Sequence, residues 1–545
     1  MRTVGLRCLA IVVAVASGTL IGGAQSRVAL AASPSVTFYA ASSQGVASPV
    51  RANAAHSSAT TGAASRRPHG VRSFQSSGAA GTAAGKVPGA VASAAKSSST
   101  LVANFNGVSS LDSQLTNFNA KFEPPDQGLC EGNGFVLEPV NSAYKIYHTN
   151  GKAIEGPFNV NDLFNEGAQE FTSDPRCHYD PTTNTWFAEI LFLSSDGLHS
   201  HQDIAVNTTG DPTNLWTEYH IDTTDRGGNG CPCFGDQPRI GIDQYNVYIS
   251  TDEFSISGPQ FNGGQLFAFS KSDLIAAKPV HFAFFKNLHI GGQLALAIEP
   301  ALSTGTPAAE YFLNSFDPNH TFDNRVGVWA MTDREDIATG DAPKLSSTVI
   351  TSEPYGMPVG APQKGSTSLL DAGDDRMQQA QYMGGNVLGE LTTGVTIAGD
   401  SGERDGAAWF AVHPTLTGDH IGTVTMANQG YVVKSNSYLI YPAMQMDAAG
   451  RAAMVFTQTS MTRFPSASYA VINTGGSQFG PVVTAANGTG PYDPLATRWG
   501  DYSWAVLDPV TDRFWLAIEY MPPKSSQTTT GQRNWGTRVL GVSVG

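Results

Sequence analysis

The amino-acid sequence predicts an all-β protein of the β-propeller class, and three observations carry that prediction. One phrase returns with variations along the C-terminal four-fifths: SDPRCHYDPTTNTWFAEI at 173–190, QPRIGIDQYNVYISTDEF at 237–254, YPAMQMDAAGRAAMVFTQ at 441–458 and YSWAVLDPVTDRFWLAIE at 502–519. Each copy has a polar or proline lead-in, an apolar strand, an Asp-centred turn and a second apolar strand. The spacing is near-regular. Asp180 to Asp243 is 63 residues, Asp447 to Asp508 is 61, and the 204 between Asp243 and Asp447 leave room for two degenerate copies. Helix signals are few, and SKSDLIAAK at 270–278 supports a turn or two at most. Hairpins in tandem cannot each bury both faces alone, so they stack, and radial stacking gives a propeller.

From the N-terminus, residues 1–31 have the form of a secretory signal peptide. Arg2 and Arg7 make a basic start, an apolar run follows from Leu9 to Ile21, and Ala29-Leu30-Ala31 offers a small-x-small cleavage site. The run is too short and interrupted to span a bilayer, and no other stretch is apolar enough. Cys8 leaves with the signal. Residues 32–100 are rich in Ala, Ser and Gly and contain no Asp or Glu. With few large apolar groups to offset the entropy of ordering, they are expected to be a disordered tether, with a Ser/Thr texture that suits a stalk.

Charge divides at the same place. Residues 1–100 carry nine Lys/Arg and no acid, leaving 23 Lys/Arg against 46 Asp/Glu in 101–545. An acidic globular part repels phosphates and argues against nucleic acid. It is compatible with a structural cation such as calcium, although no motif calls for a cofactor. The four cysteines left after signal removal are Cys130, Cys177, Cys231 and Cys233, an even count that in an exported chain suggests two disulfides. A Cys231–Cys233 bridge would close a very tight ring, so each of these two is expected to pair with Cys130 or Cys177.

The propeller domain is expected over 101–545. GFVLEPVNSAYKIYHTNGK (134–152) supplies an early hairpin. ALAIEPALS (295–303) with EYFLNSF (310–316), and DDRMQQAQYMGGNVLGELTTGV (374–395), supply the two degenerate copies. The count is then seven blades, with six or eight as alternatives. Later strands of each blade include DIAVNTTGDPTNLWTEYHI (203–221), QLFAFSKSDLI (265–275), RVGVWAMTD (325–333) and AAWFAVHP (407–414), whose alternation suits half-buried strands. The last strand, TRVLGVSV (537–544), can pair with TLVANFNG (100–107), closing the ring and removing free edges.

On PPDQGLCEGNGFVLEPVN (124–141), SDPRCHYDPTTNTWF (173–187), GDQPRIGID (235–243) and TRWGDYS (497–503), the chain resembles a family of secreted bacterial propeller-like proteins that are mostly uncharacterised. The resemblance spans about 105–545. It implies the fold and brings no catalytic residue.

The lead-ins are where chemistry is expected, because the segment entering the innermost strand of a blade lies at one mouth of the central channel. PPDQ, SDPR, GDQPR, DDR, IYP and RWGDY bring Asp126, Asp174, Asp236, Asp374, Asp375 and Asp501 together with Arg176, Arg239, Arg376, Arg498, Tyr441 and Tyr502. Carboxylates and guanidiniums converging on a concave site suit a cation, a sugar or a polar peptide. The structural alternative is that Asp caps the turn entering each strand and that Asp–Arg pairs hold neighbouring blades. A sialidase would use clustered arginines and a tyrosine, but the S-x-D-x-G-x-T-W box is missing. His199, His201 and Asp203 share a face on an extended strand and could hold zinc. Ile204 stands where a further His would complete a metallo-hydrolase run, so a polar loop is the expectation and no metal is assigned. Gly399-Asp400-Ser401-Gly402 looks like a protease nucleophile segment, but its matching His56 lies in the tail, so a turn is expected there.

The expected function is a secreted or cell-surface binding protein that presents a polar site at the channel mouth to a glycan, a peptide or an envelope polymer. A glycan-active hydrolase using mouth carboxylates is one alternative, and a structural adhesion or spacer protein is the other. Two carboxylates facing each other across an open pocket would favour the enzyme, and a mouth closed by Asp–Arg pairs would favour the spacer.

Overall fold

Each repeated phrase folds into an antiparallel pair, and the Asp markers are the reason the chain turns where it does. Asp180 accepts hydrogen bonds from the Thr182 N–H (2.9 Å) and the Thr183 hydroxyl (2.7 Å). Asp243 accepts from the Tyr245 and Asn246 N–H groups, both at 2.8 Å, and Asp447 from those of Ala449 and Arg451, both at 2.9 Å. Asp508 takes the Val510 N–H at 2.9 Å. These are Asx turns, in which the side chain replaces a backbone acceptor.

The computed structural model describes residues 35–54, 89–93, 98–168, 170–316, 322–493 and 498–545. It is an all-β protein with a few short helices, Lys271–Ile275 among them. Strand pairing gives four-strand antiparallel meanders in chain order over 130–159, 171–222, 233–285, 299–356, 379–432 and 438–486. A further one, over 504–544, is completed by Ser99–Ser109. The expected clasp is present: Gly536–Val544 pairs antiparallel with Ser99–Ser109, with Val542 opposite Leu101 and Val539 opposite Phe105. Both degenerate copies are strands as well. Glu299–Ser303 pairs with Glu310–Asn314, and Gln379–Met383 with Asn386–Ile397. Short parallel contacts, Ile242 opposite Leu302 in one and Ala301–Ser303 opposite Ala380–Tyr382 in the other, join three meanders into one 15-stranded sheet.

Apolar faces explain how the meanders pack. Leu137, Tyr144 and Ile146 meet Trp186, Ala188 and Ile190 of the next meander. Tyr248 and Leu266 meet Phe312 and Trp329. Trp409 and Leu388 meet Met454 and Phe456, whose neighbours Val455 and Tyr469 meet Phe514 and Leu516. Trp504, Trp515 and Val539 of the last meander share a buried cluster with Val136 and Tyr147 of the first.

The tail corrects an expectation. Within the segment read as disordered, Thr37–Tyr39 pairs with Lys344–Gly356, Ser43–Ala47 with Val280–Phe285, and Arg51–Ala54 with Leu215–Asp222. Composition missed this because an edge strand is held by backbone hydrogen bonds, which poor apolar content does not weaken. Residues 55–88 and 94–97 lie outside the described residues, as does the 1–31 signal segment. Among the described residues, no helix is long and apolar enough to cross a membrane.

The cysteine pairing is also corrected. Cys130 is bonded to Cys177 and Cys231 to Cys233, with Cα separations of 5.6 and 4.4 Å. Cys130 and Cys177 lie on the first strands of successive meanders. The lead-ins Asp174-Pro175-Arg176 and Gln237-Pro238-Arg239 correspond, so Cys177 matches Ile240, about 20 Å along the strand from Cys233. The Cys-Pro-Cys turn brings its two ends within disulfide reach, so the tight ring is no obstacle.

Buried acids give the fold a pH dependence of unusual sign. Burial pushes Glu138 and Asp405 up to about 7 and Glu131 up to about 8. Their unfolded values are near 4. Between these limits the folded chain keeps protons that the unfolded chain releases, so stability falls as pH rises through the window. His178, which burial pulls down to about 4, works the other way but is one group against three. The melting temperature is therefore expected to be higher near pH 5.5 than near pH 8, with Glu138→Gln shrinking the difference. A chain that melts lower at the acidic pH would overturn this assignment.

Candidate functional site

The lead-ins share a backbone device that the sequence does not advertise. Asp126, Asp174, Gln237, Ala297, Tyr441 and Asp501 all sit in the left-handed region, with φ between 44° and 73°. At three of them the strand register shifts, between Ser173 and Arg176, Asp236 and Arg239, and Ile440 and Ala443. Such a bulge re-aims the side chains around it. Asp tolerates this backbone, but Tyr441 does not adopt it readily. Its ring lies against Gly500, itself at φ 82°, where an added Cβ would come within 2.1 Å of the ring.

The structure brings the predicted residues together in two layers. In the deeper one, Arg176 and Arg239 are almost wholly buried. The Arg176 guanidinium lies 3.7 Å from the Tyr502 ring centroid and 5.3 Å from that of Trp504. Arg239 pairs with Asp252 at 2.9 Å and Glu299 at 2.6 Å. Tyr502 lends its hydroxyl to Asp174 at 3.3 Å. Asn141 donates to Asp126 at 2.5 Å and accepts from the Asp174 N–H at 2.7 Å, tying two lead-ins together. Asp126 Oδ1 is buried with no hydrogen-bond partner.

Nearer the solvent, Arg376 grips Asp374 through two bonds, at 2.5 and 2.6 Å, and also bonds Gln237. Arg498 pairs with Asp501; their side chains are 19% and 22% exposed. Asp236 is half-buried, opposite Asp252 in register, while Asp375 is fully buried.

Acid crowding governs the electrostatics. Burial raises Asp501 to about 6 against the pull of Arg498, with Asp371 and Asp174 adding to the rise. Burial, then Asp501 and Asp174, hold Asp126 well above the carboxylate range. Asp371 is raised by burial too. Burial also acts on Asp374, but the charge and bonds of Arg376 overcome it and lower its pKa.

Several of these residues escaped sequence reasoning: Asn141, Gln237, Asp252, Glu299 and Asp371. A signal existed for Glu299. VLEPV, FAEIL, AIEPA, LGELT and LAIEY each place one Glu inside an apolar strand, and all five, Glu138, Glu189, Glu299, Glu390 and Glu519, are buried.

A cavity of about 230 Å³ lies at the other ends of the same strands. It is lined by Tyr179, Asp180, Asp243, Lys271, Thr304 and Gln445, among others. Lys271 crosses it to Asp180 at 3.0 Å.

The weaker motifs divide. His201 and Asp203 come together, His201 Nδ1 lying 2.5 Å from Asp203 Oδ1, whereas His199 is drawn away to Arg226 at 3.1 Å. Asp400 is occupied by Arg404 and the Asn436 N–H, so the 399–402 segment is a turn. His56 lies outside the described residues.

No protein-family model matches the chain, and no curated protein matches it in sequence. Solved structures resemble it at low similarity. An ancestral GH74 enzyme is 11% identical, with a TM-score of 0.38 over 82% of this chain and 51% of that one. The hemagglutinin-neuraminidase ectodomain of parainfluenza virus 5 is 8% identical, with a TM-score of 0.35 over 69% and 82%. The Dos1 propeller is 9% identical, with a TM-score of 0.33 over 76% and 77%. Likenesses this distant decide nothing about substrate or activity.

Proposed function

We propose that this chain is an exported seven-bladed β-propeller that binds a polar ligand where its lead-ins converge. Each four-strand meander is a blade, and the packing of the last on the first supports the closed ring. The two disulfides suit an oxidising compartment. The resemblance to secreted propeller-like proteins agrees with both.

One observation carries the site. Asp126, Asp174, Asp371 and Asp501 interact around Arg498, while Arg376 is committed to Asp374 and Arg176 lies beneath the Tyr502 ring in the deeper layer. Acid exceeds base at an edge that solvent reaches. A ligand with hydroxyl donors or a positive charge completes such a surface; a polyanion does not. Glycans, cationic peptides and neutral envelope polysaccharides meet that requirement.

A glycan array probed with the purified domain tests the reading. Arg498→Ala and Asp501→Asn are expected to abolish binding with little change in melting temperature, since both side chains are partly exposed. Arg498→Lys, which keeps the charge but loses the planar fork, should bind weakly. Full binding by all three variants would remove the site from this face.

A second reading rests on the 230 Å³ cavity that Lys271 and Asp180 line. If the ligand sits there, Lys271→Ala abolishes binding and Asp501→Asn does not. An enzymatic reading draws on Asp501, since a carboxyl raised to about 6 suits a general acid. Hydrolysis of an array glycan, lost in Asp501→Asn, would establish it.

A further inference from the structure

Strand geometry places three side chains that can ligate a metal on one face. His201 and Asp203 are two apart on Ser200–Asn207, so they point the same way. His220, on Leu215–Asp222, stands directly opposite Asp203 in the antiparallel register. A fourth group arrives from the connection between two meanders. After Val160–Leu163 the chain turns at Asn165, left-handed at φ 55°, and delivers Glu166 onto the same face.

The four donors converge. His220 Nε2 lies 3.5 Å from Glu166 Oε1 and 4.0 Å from Asp203 Oδ1, and His201 Nε2 lies 3.9 Å from Glu166 Oε1. One ligand atom from each can be chosen so that all lie within 4.8 Å of one another. Around one tetrahedral zinc, neighbouring ligand atoms sit about 3.3 Å apart for bonds of about 2.0 Å. Most of these distances therefore close by less than an ångström or so. The two imidazoles lie parallel at 5.0 Å, so each must turn about its Cβ–Cγ bond to face an ion between them.

One further observation points to a cation. Asp203 is 1% exposed, and its Oδ2 is buried without a hydrogen-bond partner.

We propose that Glu166, His201, Asp203 and His220 form a site for a divalent transition-metal ion of the zinc class. Imidazole donors favour zinc, nickel or copper over calcium and magnesium, which want an all-oxygen shell. Bound there, the ion ties the 160–170 connection to the outer strands of the following meander. It acts as a brace.

The test uses the full mature chain without a histidine tag. After exposure to zinc and exhaustive dialysis, elemental analysis is expected to find about one zinc per chain. Calorimetric titration should show saturable binding, and the melting temperature should rise with zinc but not with calcium. Asp203→Asn is expected to weaken zinc binding tenfold or more. His220→Ala should abolish it, while His199→Ala, at a residue outside the cluster, should leave it intact. If His220→Ala fails to fold, Glu166→Gln takes its place. Absence of stoichiometric zinc in the folded wild type overturns the site, as does equal binding by wild type, Asp203→Asn and Glu166→Gln.

Discussion

Replacing Arg239 by Ala is expected to destabilise the fold by about 3–5 kcal/mol, the cost of stranding a buried charge. Arg239 is 1% exposed and Asp252 is fully buried, and the two meet at 2.9 Å. Without the guanidinium, Asp252 keeps the Ala297 N–H at 3.0 Å as its remaining close donor. Glu299 also contacts Arg239, but burial pushes it up to about 8 even so, and it carries less of the counter-charge near neutral pH. Urea denaturation reads the effect as a fall in midpoint at unchanged slope. Arg239→Lys should lose less, since it restores a charge without the fork. Adding Asp252→Leu to Arg239→Met should recover part of the loss by removing both charges at once. A deficit below about 1 kcal/mol for Arg239→Ala would mean that water reaches the pair, and the deeper layer would not be the closed one described above.

The two disulfides are expected to differ sharply in what their removal costs. Cys130–Cys177 closes a 47-residue separation, and loop-entropy arithmetic assigns it about 4 kcal/mol. Cys231–Cys233 spans a separation of 2, for which the same expression leaves about 1 kcal/mol. The Cys130→Ala/Cys177→Ala double variant should therefore melt far lower than Cys231→Ala/Cys233→Ala. Peptide mapping of the unreduced protein checks the pairing itself. Recovery of a peptide joining Cys177 to Cys231 or Cys233 would refute the observed connectivity. Equal destabilisation of the two variants would refute the entropic account while leaving the pairing in place.

Much of the candidate site was legible because its residues are local. Asp174-Pro175-Arg176 and Gln237-Pro238-Arg239 announce themselves as lead-ins to apolar strands, and their Asp-centred turns follow at a set distance. Asp252 and Asn141 were not legible, because each belongs to the site only through a partner on another strand or another meander. The zinc-class cluster shows the same division. His201 and Asp203 could be read from their two-residue spacing; His220 and Glu166 could not, since a cross-strand register and a left-handed turn bring them in. His199, equally plausible in one dimension, is drawn off to Arg226.

Alternation, turn chemistry and repeat spacing are short-range properties, so the sequence by itself determined that this chain is all-β and where its hairpins turn. The pairing of Gly536–Val544 with Ser99–Ser109 was readable in a different way, as two strands left over at opposite ends of the repeats. Tertiary structure alone decided the rest. It chose the disulfide partners through the strand alignment, and it recruited the apolar-poor tail as edge strands through backbone hydrogen bonds that carry no side-chain signature. It also decided which acids are crowded enough to hold their protons, because burial and the approach of like charges depend on the packing of segments hundreds of residues apart, and no local pattern encodes that.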